Sequence, residues 1–261
     1  MRTSPPGLGL GLYRARPTRD LIETALDAGI RHIDTASSYH RFTGHHDLAA
    51  AAGELLTEFT VSTKVGFFPG GRHSLDPREL ARAAERCRDD LGFPPGLVLL
   101  HNPECSFQNI DPASARRSLA ASCAALAEAA AEGVCAGWGI STWDAAGILE
   151  AAAGLAGQIR PDVLMIRSGL TVSARQLGAA RVLIQALRPG AAWGMSPFGG
   201  AARDPVWTNV STTQFLRAGH HSSPHQAGLR VACELPPVDL VVAGTSDRDH
   251  LRQLAEAIRL P

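Results

Sequence analysis

No stretch of this chain approaches the roughly twenty consecutive apolar residues that cross a bilayer. Its opening, Met1-Arg2-Thr3-Ser4-Pro5-Pro6, lacks the apolar core of a signal peptide. Charge of one sign is missing too: Lys+Arg and Asp+Glu both number 25, so the net charge is zero. That balance argues against a nucleic-acid binder, which carries a basic footprint. The five cysteines (Cys87, Cys105, Cys123, Cys135, Cys233) are scattered and odd in number, with no Cys-x-x-Cys pair. Neither a disulfide framework nor structural zinc is expected. The sequence is therefore expected to be cytoplasmic, with no membrane or nucleic-acid partner. Gly-x-Gly-x-x-Gly is absent as well. Gly7-Leu8-Gly9-Leu10-Gly11 has glycine only at alternate positions, a poor match for the phosphate turn of a doubly wound sheet.

What is present is a regular alternation. With 261 residues, 45% hydrophobic and 19% charged, the chain is expected to form one domain over 1–261. Apolar runs bounded by Gly, Pro or charge recur at Gly7–Leu12, Arg31–Asp34, Thr60–Lys64, Leu97–His101, Ala136–Ile140, Val163–Arg167, Ala191–Met195 and Leu240–Ala243. Helical patterns lie between most of them. Thr18–Ala28 has a Thr cap, Asp76-Pro77 and Asp111-Pro112 are helix starts, and Asp144–Ala153, Ser173–Leu187 and Arg248–Ile258 follow. Eight strands separated by helices in a chain of this size predict an α/β fold, a (β/α)8 TIM barrel. Phe198–His225, rich in Gly, Ser, Thr and His, is expected to be a long loop above the barrel mouth.

Three consecutive strands end on an ionisable residue: Asp34, Lys64 and His101, with Tyr39 on the loop after the first. In a barrel the C-terminal strand ends form the catalytic face. A phenol with a pKa of about 10 is a poor acid at neutral pH. An ammonium ~4 Å away at an effective dielectric of ~20 is worth about 4 kcal/mol, or about three pKa units. Lys64 beside Tyr39 is thus expected to pull the phenol toward the working range. Asp34 would hold Lys64 charged, and His101 would orient a carbonyl oxygen.

Ile33-Asp34-Thr35-Ala36-Ser37-Ser38-Tyr39, Ser62-Thr63-Lys64-Val65, Leu99-Leu100-His101-Asn102-Pro103 and Gly139-Ile140-Ser141-Thr142, in that order, resemble the aldo-keto reductase superfamily. The resemblance spans nearly the whole chain. It implies a (β/α)8 barrel and hydride transfer from NADPH to a small carbonyl substrate. It makes Tyr39 the general acid, Lys64 and Asp34 its tuning groups, and His101 the group that orients the carbonyl.

The same resemblance places the cofactor contacts on less typical residues. Ser141-Thr142 stands where Ser-Asn usually meets the nicotinamide carboxamide. Met165 replaces a Gln, Met195 replaces the ring that stacks on the nicotinamide, and Leu254 replaces an adenine-contacting Asn. Ser196 and the glycines around Phe198 are expected at the pyrophosphate. Gly244-Thr245-Ser246 offers backbone donors and hydroxyls at a helix N-terminus, and Arg248 is placed for a 2′-phosphate, hence NADP(H).

With the sequence stopping at Pro261 soon after the last predicted helix, the long C-terminal loop that often covers the family's substrate is not expected to contribute. Contacts are therefore expected from Tyr13 and Arg14, His40–Phe42, Phe67-Phe68, Asn102–Phe107, Trp143 and Trp207, with Arg167 as an anchor for a carboxylate or phosphate. His45-His46-Asp47 and His220-His221 with His225 lack metal-ligand spacing and are expected in solvated loops; no metal is expected. Ala120–Glu132 is expected to be a helix surface. Two other readings stay open: a cofactor-independent lyase, dehydratase or isomerase using the same four residues, and a non-catalytic binding protein.

Overall fold

The computed structural model describes residues 6–200, 204–209, 211 and 223–259. In chain order, its strands and helices begin with β1 (Gly7–Gly11), α1 (Arg19–Asp27), β2 (His32–Asp34), α2 (Gly44–Ala52) and β3 (Thr60–Val65). A small antiparallel hairpin follows, β4 (Phe67–Phe68) with β5 (Arg72–His73). The alternation then resumes with α3 (Pro77–Leu91), β6 (Leu97–His101), α4 (Pro112–Ala131), β7 (Trp138–Thr142) and α5 (Ala145–Ala153). It continues through β8 (Val163–Arg167), α6 (Ala174–Leu187), β9 (Ala191–Met195), α7 (Val206–Asn209), α8 (Pro224–Ala232), β10 (Leu240–Ala243) and α9 (Arg248–Arg259). The eight strands other than the hairpin pair in parallel and close in the order β1-β10-β9-β8-β7-β6-β3-β2, the (β/α)8 barrel.

Local chemistry sets the helix ends. The Thr18 hydroxyl accepts from the Leu21 amide and starts α1. The Asp76 carboxylate accepts from the amides of Arg78 and Glu79, Pro77 fills the first turn, and Gly92 at φ 79° stops α3. Asp111, Asp144 and Ser173 cap α4, α5 and α6 in the same manner. One core lies between helices and barrel wall; a second, with Leu99, Val163, Met165, Trp193 and Val242, fills the barrel interior. Each of these fully buried side chains contributes about 1.5–3 kcal/mol.

Four expectations need correction. The fifth barrel strand runs from Trp138 to Thr142 rather than from Ala136 to Ile140, because the Asp162 carboxylate takes the Trp138 amide at 2.9 Å and fixes its start. Ser141 and Thr142 are therefore inside the strand. His45-His46-Asp47 lies in helix α2 rather than a solvated loop, and His45 is buried, its Nε2 2.7 Å from Thr63 Oγ1. The Phe198–His225 segment contains α7 and the start of α8, the latter capped by a reciprocal Ser223–Gln226 box. His220 and His221 lie outside the described residues, and His225 is on α8. The Ala-rich stretch is not all surface: Ser122, Cys123, Leu126 and Ala129 of α4 are buried.

Candidate active site

A cavity of about 630 Å³ opens at the C-terminal ends of the barrel strands, and Asp34, Tyr39, Lys64 and His101 all line it. The barrel register explains why. Asp34 stands opposite Ser62 and Lys64 opposite Leu99, so β2, β3 and β6 deliver neighbouring side chains to one rim. Lys64 is 1% exposed; its Nζ donates to Asp34 Oδ2 at 2.6 Å and to the Thr35 carbonyl at 2.8 Å. Asp34 Oδ1 accepts from the Ser62 hydroxyl at 2.7 Å. Burying an ammonium is costly unless it is paired and hydrogen-bonded, and here it is both. Burial alone would lower the Lys64 pKa, but Asp34 and Tyr39 outweigh it, so the ammonium sits above its ordinary value and is held charged.

Tyr39 is buried, with Lys64 Nζ 4.9 Å from its ring centroid. The expected pull of the ammonium on the phenol is present, yet burial outweighs it and the phenol lies above its ordinary value. That corrects the reading from the sequence, which counted the charge and not the desolvation. The turn after Tyr39 is strained: His40, Arg41 and Phe42 have φ of 49°, 59° and 70°. His40 clasps it, Nε2 standing 3.0 Å from the Leu12 carbonyl and Nδ1 3.3 Å from Asp47 Oδ2.

His101 packs edge-on to Phe67 (4.8 Å between centroids) and to Tyr39 (6.1 Å). Burial, then the charge of Lys64, holds its pKa well below the usual value, so the ring is neutral. A neutral imidazole carries one N–H and suits an oxygen that gains charge. His73 on β5 braces this corner, with Nε2 2.8 Å from the His101 carbonyl and Nδ1 2.7 Å from Ser106 Oγ.

The residues on the other side of the barrel are arranged differently. Ser141 is buried, its hydroxyl directed at Met165 Sδ (3.6 Å) and Met195 Sδ (4.0 Å). Thr142 is fully buried and donates its hydroxyl to Glu104 Oε2 at 3.0 Å. Neither lines the cavity, whereas Met195, Ser196, Phe198 and Gly244 do. Thr245 bonds locally to Asp247, and the Asp247 carboxylate accepts from the amides of Asp249 and His250, capping α9. Arg248 pairs with Asp20 at 2.9 Å. Thr245, Ser246 and Arg248 are not among the cavity walls, and Leu254 is buried in the core.

For a nicotinamide dinucleotide the fit is good along the middle. The cavity runs from the ionised residues to Ser196–Gly200 and Gly244, and a Cβ on Gly244 would stand 2.8 Å from the Gly11 carbonyl oxygen. Glycines at 199, 200 and 244 alternate there with the side chains of Met195, Ser196, Phe198 and Val242, leaving stretches of bare backbone that an elongated ligand can approach closely. The carboxamide and 2′-phosphate contacts expected of Ser141, Thr142 and Arg248 are instead engaged within the protein.

Of the expected substrate residues, Tyr13 and Trp143 line the cavity, as do Arg14, Phe42, Phe67, Phe68 and Asn102. Arg167 stands behind Trp143, its guanidinium 4.6 Å from the ring centroid. Trp207 is not a substrate contact: it is 1% exposed and packs on Phe198 and His225. Glu104 falls in the Asn102–Phe107 span expected to touch substrate, but its part is a structural one that the sequence did not disclose. Its carboxylate takes the Trp143 and Asp144 amides at 2.8 and 2.9 Å besides the Thr142 hydroxyl, and so fixes the turn that carries Trp143. Burial raises its pKa against those bonds. An acid directly after His101-Asn102-Pro103 was the available signal.

The sequence matches the Aldo/keto reductase family over residues 11–261. The fold resembles an aldo-keto reductase from Bacillus halodurans in its holo form (TM-score 0.74, 18% identity, covering 98% of this chain and 88% of that one). It resembles an aldose reductase from Giardia lamblia (TM-score 0.69, 17% identity, 100% and 89%). A third similar structure is a putative aldo-keto reductase from Pseudomonas aeruginosa (TM-score 0.66, 19% identity, 98% and 92%). No curated relative matches the sequence at a significant level. Identities this low speak for the fold alone. Among the described residues no helix is long and apolar enough to cross a membrane, and no group of three His, Cys, Asp or Glu is placed to hold a metal ion.

Proposed function

The chain belongs to the aldo/keto reductase family, and from that premise we propose that it reduces an aldehyde or ketone of a small metabolite with NADPH, Tyr39 serving as general acid. The observation that carries the reading is the buried Lys64–Asp34 pair at 2.6 Å beside Tyr39 on the cavity wall. Reduced nicotinamide, when bound, supplies the hydride. The protein's residues handle the oxygen. His101, neutral, orients the carbonyl by a single hydrogen bond. Tyr39 gives its proton to that oxygen as negative charge develops there. Lys64 stabilises the phenolate left behind, an electrostatic task that a low-dielectric setting strengthens. Asp34 is a positioning residue that keeps the ammonium charged and fixed.

Burial keeps the Tyr39 phenol protonated in the resting site but makes it a weaker acid, so proton transfer relies on Lys64 to stabilise the phenolate as it forms. Ser196, Phe198 and Gly244 would hold the dinucleotide along its middle, while Ser141 and Thr142, buried behind the cavity wall, would reach its nicotinamide end only by giving up their bonds to Met165 and Glu104. Arg248 would meet a 2′-phosphate only by exchanging Asp20 for it, and exposed ion pairs of this kind are weak. The test is NADPH titration, followed by protein fluorescence, together with turnover by Tyr39→Phe. Binding with aldehyde-dependent NADPH oxidation that Tyr39→Phe abolishes is the expected result.

A second reading has its own observation. Because the Thr142 hydroxyl is held by Glu104 and Ser141 faces two methionines, the same acid, base and cation would also serve a lyase, dehydratase or isomerase that uses no hydride. Stoichiometric NADPH oxidation excludes that reading; turnover with no nucleotide bound at millimolar concentration excludes the first.

A further inference from the structure

The β4–β5 hairpin belongs neither to the barrel nor to its ring of helices, and closure of the barrel does not require it. It leaves β3 through a single residue, Gly66, and is fastened at both ends. The Ser74 amide donates to the Gly66 carbonyl at 2.9 Å. Arg72 lies over the Phe68 ring, 4.6 Å from its centroid, and pairs with Glu79 of α3 at 2.7 Å. Phe67 lines the cavity, whereas His73 stands behind it.

The hairpin meets the end of β6 at His101. His73 Nε2 faces the His101 carbonyl at 2.8 Å, and a carbonyl only accepts, so that nitrogen carries a proton. Burial holds the His73 pKa below its ordinary value, against the raising effect of this bond, so the ring is neutral. Its Nδ1 therefore accepts from the Ser106 hydroxyl at 2.7 Å. Gly66 makes room for the contact: a Cβ there would stand 3.2 Å from His73 Nε2 and 3.3 Å from the His101 carbonyl oxygen, at a φ of 134° that side chains rarely adopt. Phe67 packs edge-on to both histidines, its ring centroid 4.7 Å from that of His73 and 4.8 Å from that of His101. An imidazole at a reacting centre is ordinarily fixed in orientation and tautomer by a hydrogen bond at its second nitrogen. His101 lacks that bond, since among the described residues its Nδ1 is buried without a partner. The backbone clamp from His73 and the packing of Phe67 stand in its place.

We propose that the β4–β5 hairpin aims the His101 ring at the substrate oxygen, with His73 as a positioning residue that acts through the His101 backbone and through Phe67. Ser106 completes the bracket by fixing the tautomer of His73. The proposal rests on the reading of His101 as the group that orients a carbonyl, but the aim of the ring is measurable without turnover. Small displacements of such a group are costly, because the hydrogen bond it offers must point where the reacting oxygen stands.

The test reads the ring itself. In protein labelled with 15N-histidine, long-range 1H–15N correlation spectra separate the two neutral tautomers, and His73→Leu and His101→Gln identify the signals. The unsubstituted protein should show His73 protonated on Nε2 and His101 as one neutral tautomer. In His73→Leu the His101 signals should broaden or divide between tautomers. In the same variant kcat for aldehyde reduction should fall about tenfold to a hundredfold, with NADPH affinity within about twofold of the unsubstituted protein. His73→Gln, whose amide can donate to the same carbonyl and accept from Ser106, should restore the His101 signature and most of the lost kcat. A merely structural role would lower the melting temperature of His73→Leu and leave the His101 tautomer unchanged. Ser106→Ala decides the matter even where His73→Leu folds poorly: His73 should then populate both tautomers, and kcat should fall about two- to tenfold, the weight of one hydrogen bond. His73 protonated on Nδ1, or a His101 signature the same in every folded variant as in the unsubstituted protein, overturns the proposal. A signature that moves as described in a protein that reduces no aldehyde leaves the bracket standing and removes the reductase reading instead.

Discussion

The two sides of the barrel mouth solve opposite problems. At the ends of β2, β3 and β6 the protein buries charge and satisfies it: Lys64 has Asp34 and the Thr35 carbonyl, and Asp34 has Ser62. At the ends of β7, β8 and β9 it buries hydroxyls and thioethers, and the polar groups turn inward, Thr142 to Glu104 and Ser141 to the two methionines. The first side is rigid machinery for a proton. The second offers shape and backbone with few directional contacts, so affinity for a dinucleotide there must come from the enclosing walls and the Ser196–Gly200 loop that Arg14 ties down.

Breaking the first side should have the largest effect. Lys64→Met is expected to abolish measurable reduction and to destabilise the fold by about 3–5 kcal/mol, because Asp34 is left as an unpaired buried charge; urea unfolding with steady-state rates checks both. Restoring near wild-type stability in Lys64→Met by adding Asp34→Asn, without restoring turnover, would separate the two effects. Tyr39→Phe should lower kcat by about 10²–10⁴-fold, the range of general acid catalysis, with little change in melting temperature. A Tyr39→Phe enzyme with normal kcat would show that the proton comes from elsewhere.

Sharpening the second side should give a smaller gain. Met195→Phe puts a ring on the cavity wall where a thioether now stands, and is expected to tighten nicotinamide binding three- to tenfold, from a stacking contribution of about 0.5–1.5 kcal/mol. Unchanged or weaker NADP+ affinity by calorimetry would show that the nicotinamide does not lie against this wall.

The smallest effect is a pH dependence of stability. Burial lowers the pKa of His32, His45, His73 and His101 in the folded protein. Below the ordinary histidine pKa the unfolded chain therefore binds more protons, so stability is lost as pH falls below about 6.5 and recovered above it. The melting temperature should decline between pH 7.5 and 5.5, and His32→Gln, remote from the rim, should reduce that decline while leaving the pH profile of kcat in place. A melting temperature that rises as the pH is lowered over this window contradicts the assignment.

The sequence disclosed the first side far better than the second. Asp34, Lys64 and His101 each end an apolar run, and a strand that leaves a barrel on an ionisable residue points it at the mouth. Thr142 could not be read that way. Its partner Glu104 is 38 residues distant, and the bond exists because the turn after β6 folds against the end of β7. Arg248 and Asp20 are 228 residues apart and meet only when the barrel closes. The buried His45 was hidden by its polar neighbours, since nothing in His45-His46-Asp47 tells which side of α2 faces Thr63.

By itself the sequence determined the strands, the caps and the identity of the four residues at the reacting end, because these follow from periodicity and from side chains acting on backbone a few residues away. Only the tertiary structure decided which of those groups are charged, how the phenol's pKa moves, and which hydroxyls remain free. Those properties depend on distance through space and on exclusion of water, and both are fixed only once β1 and β10 pair and the barrel shuts.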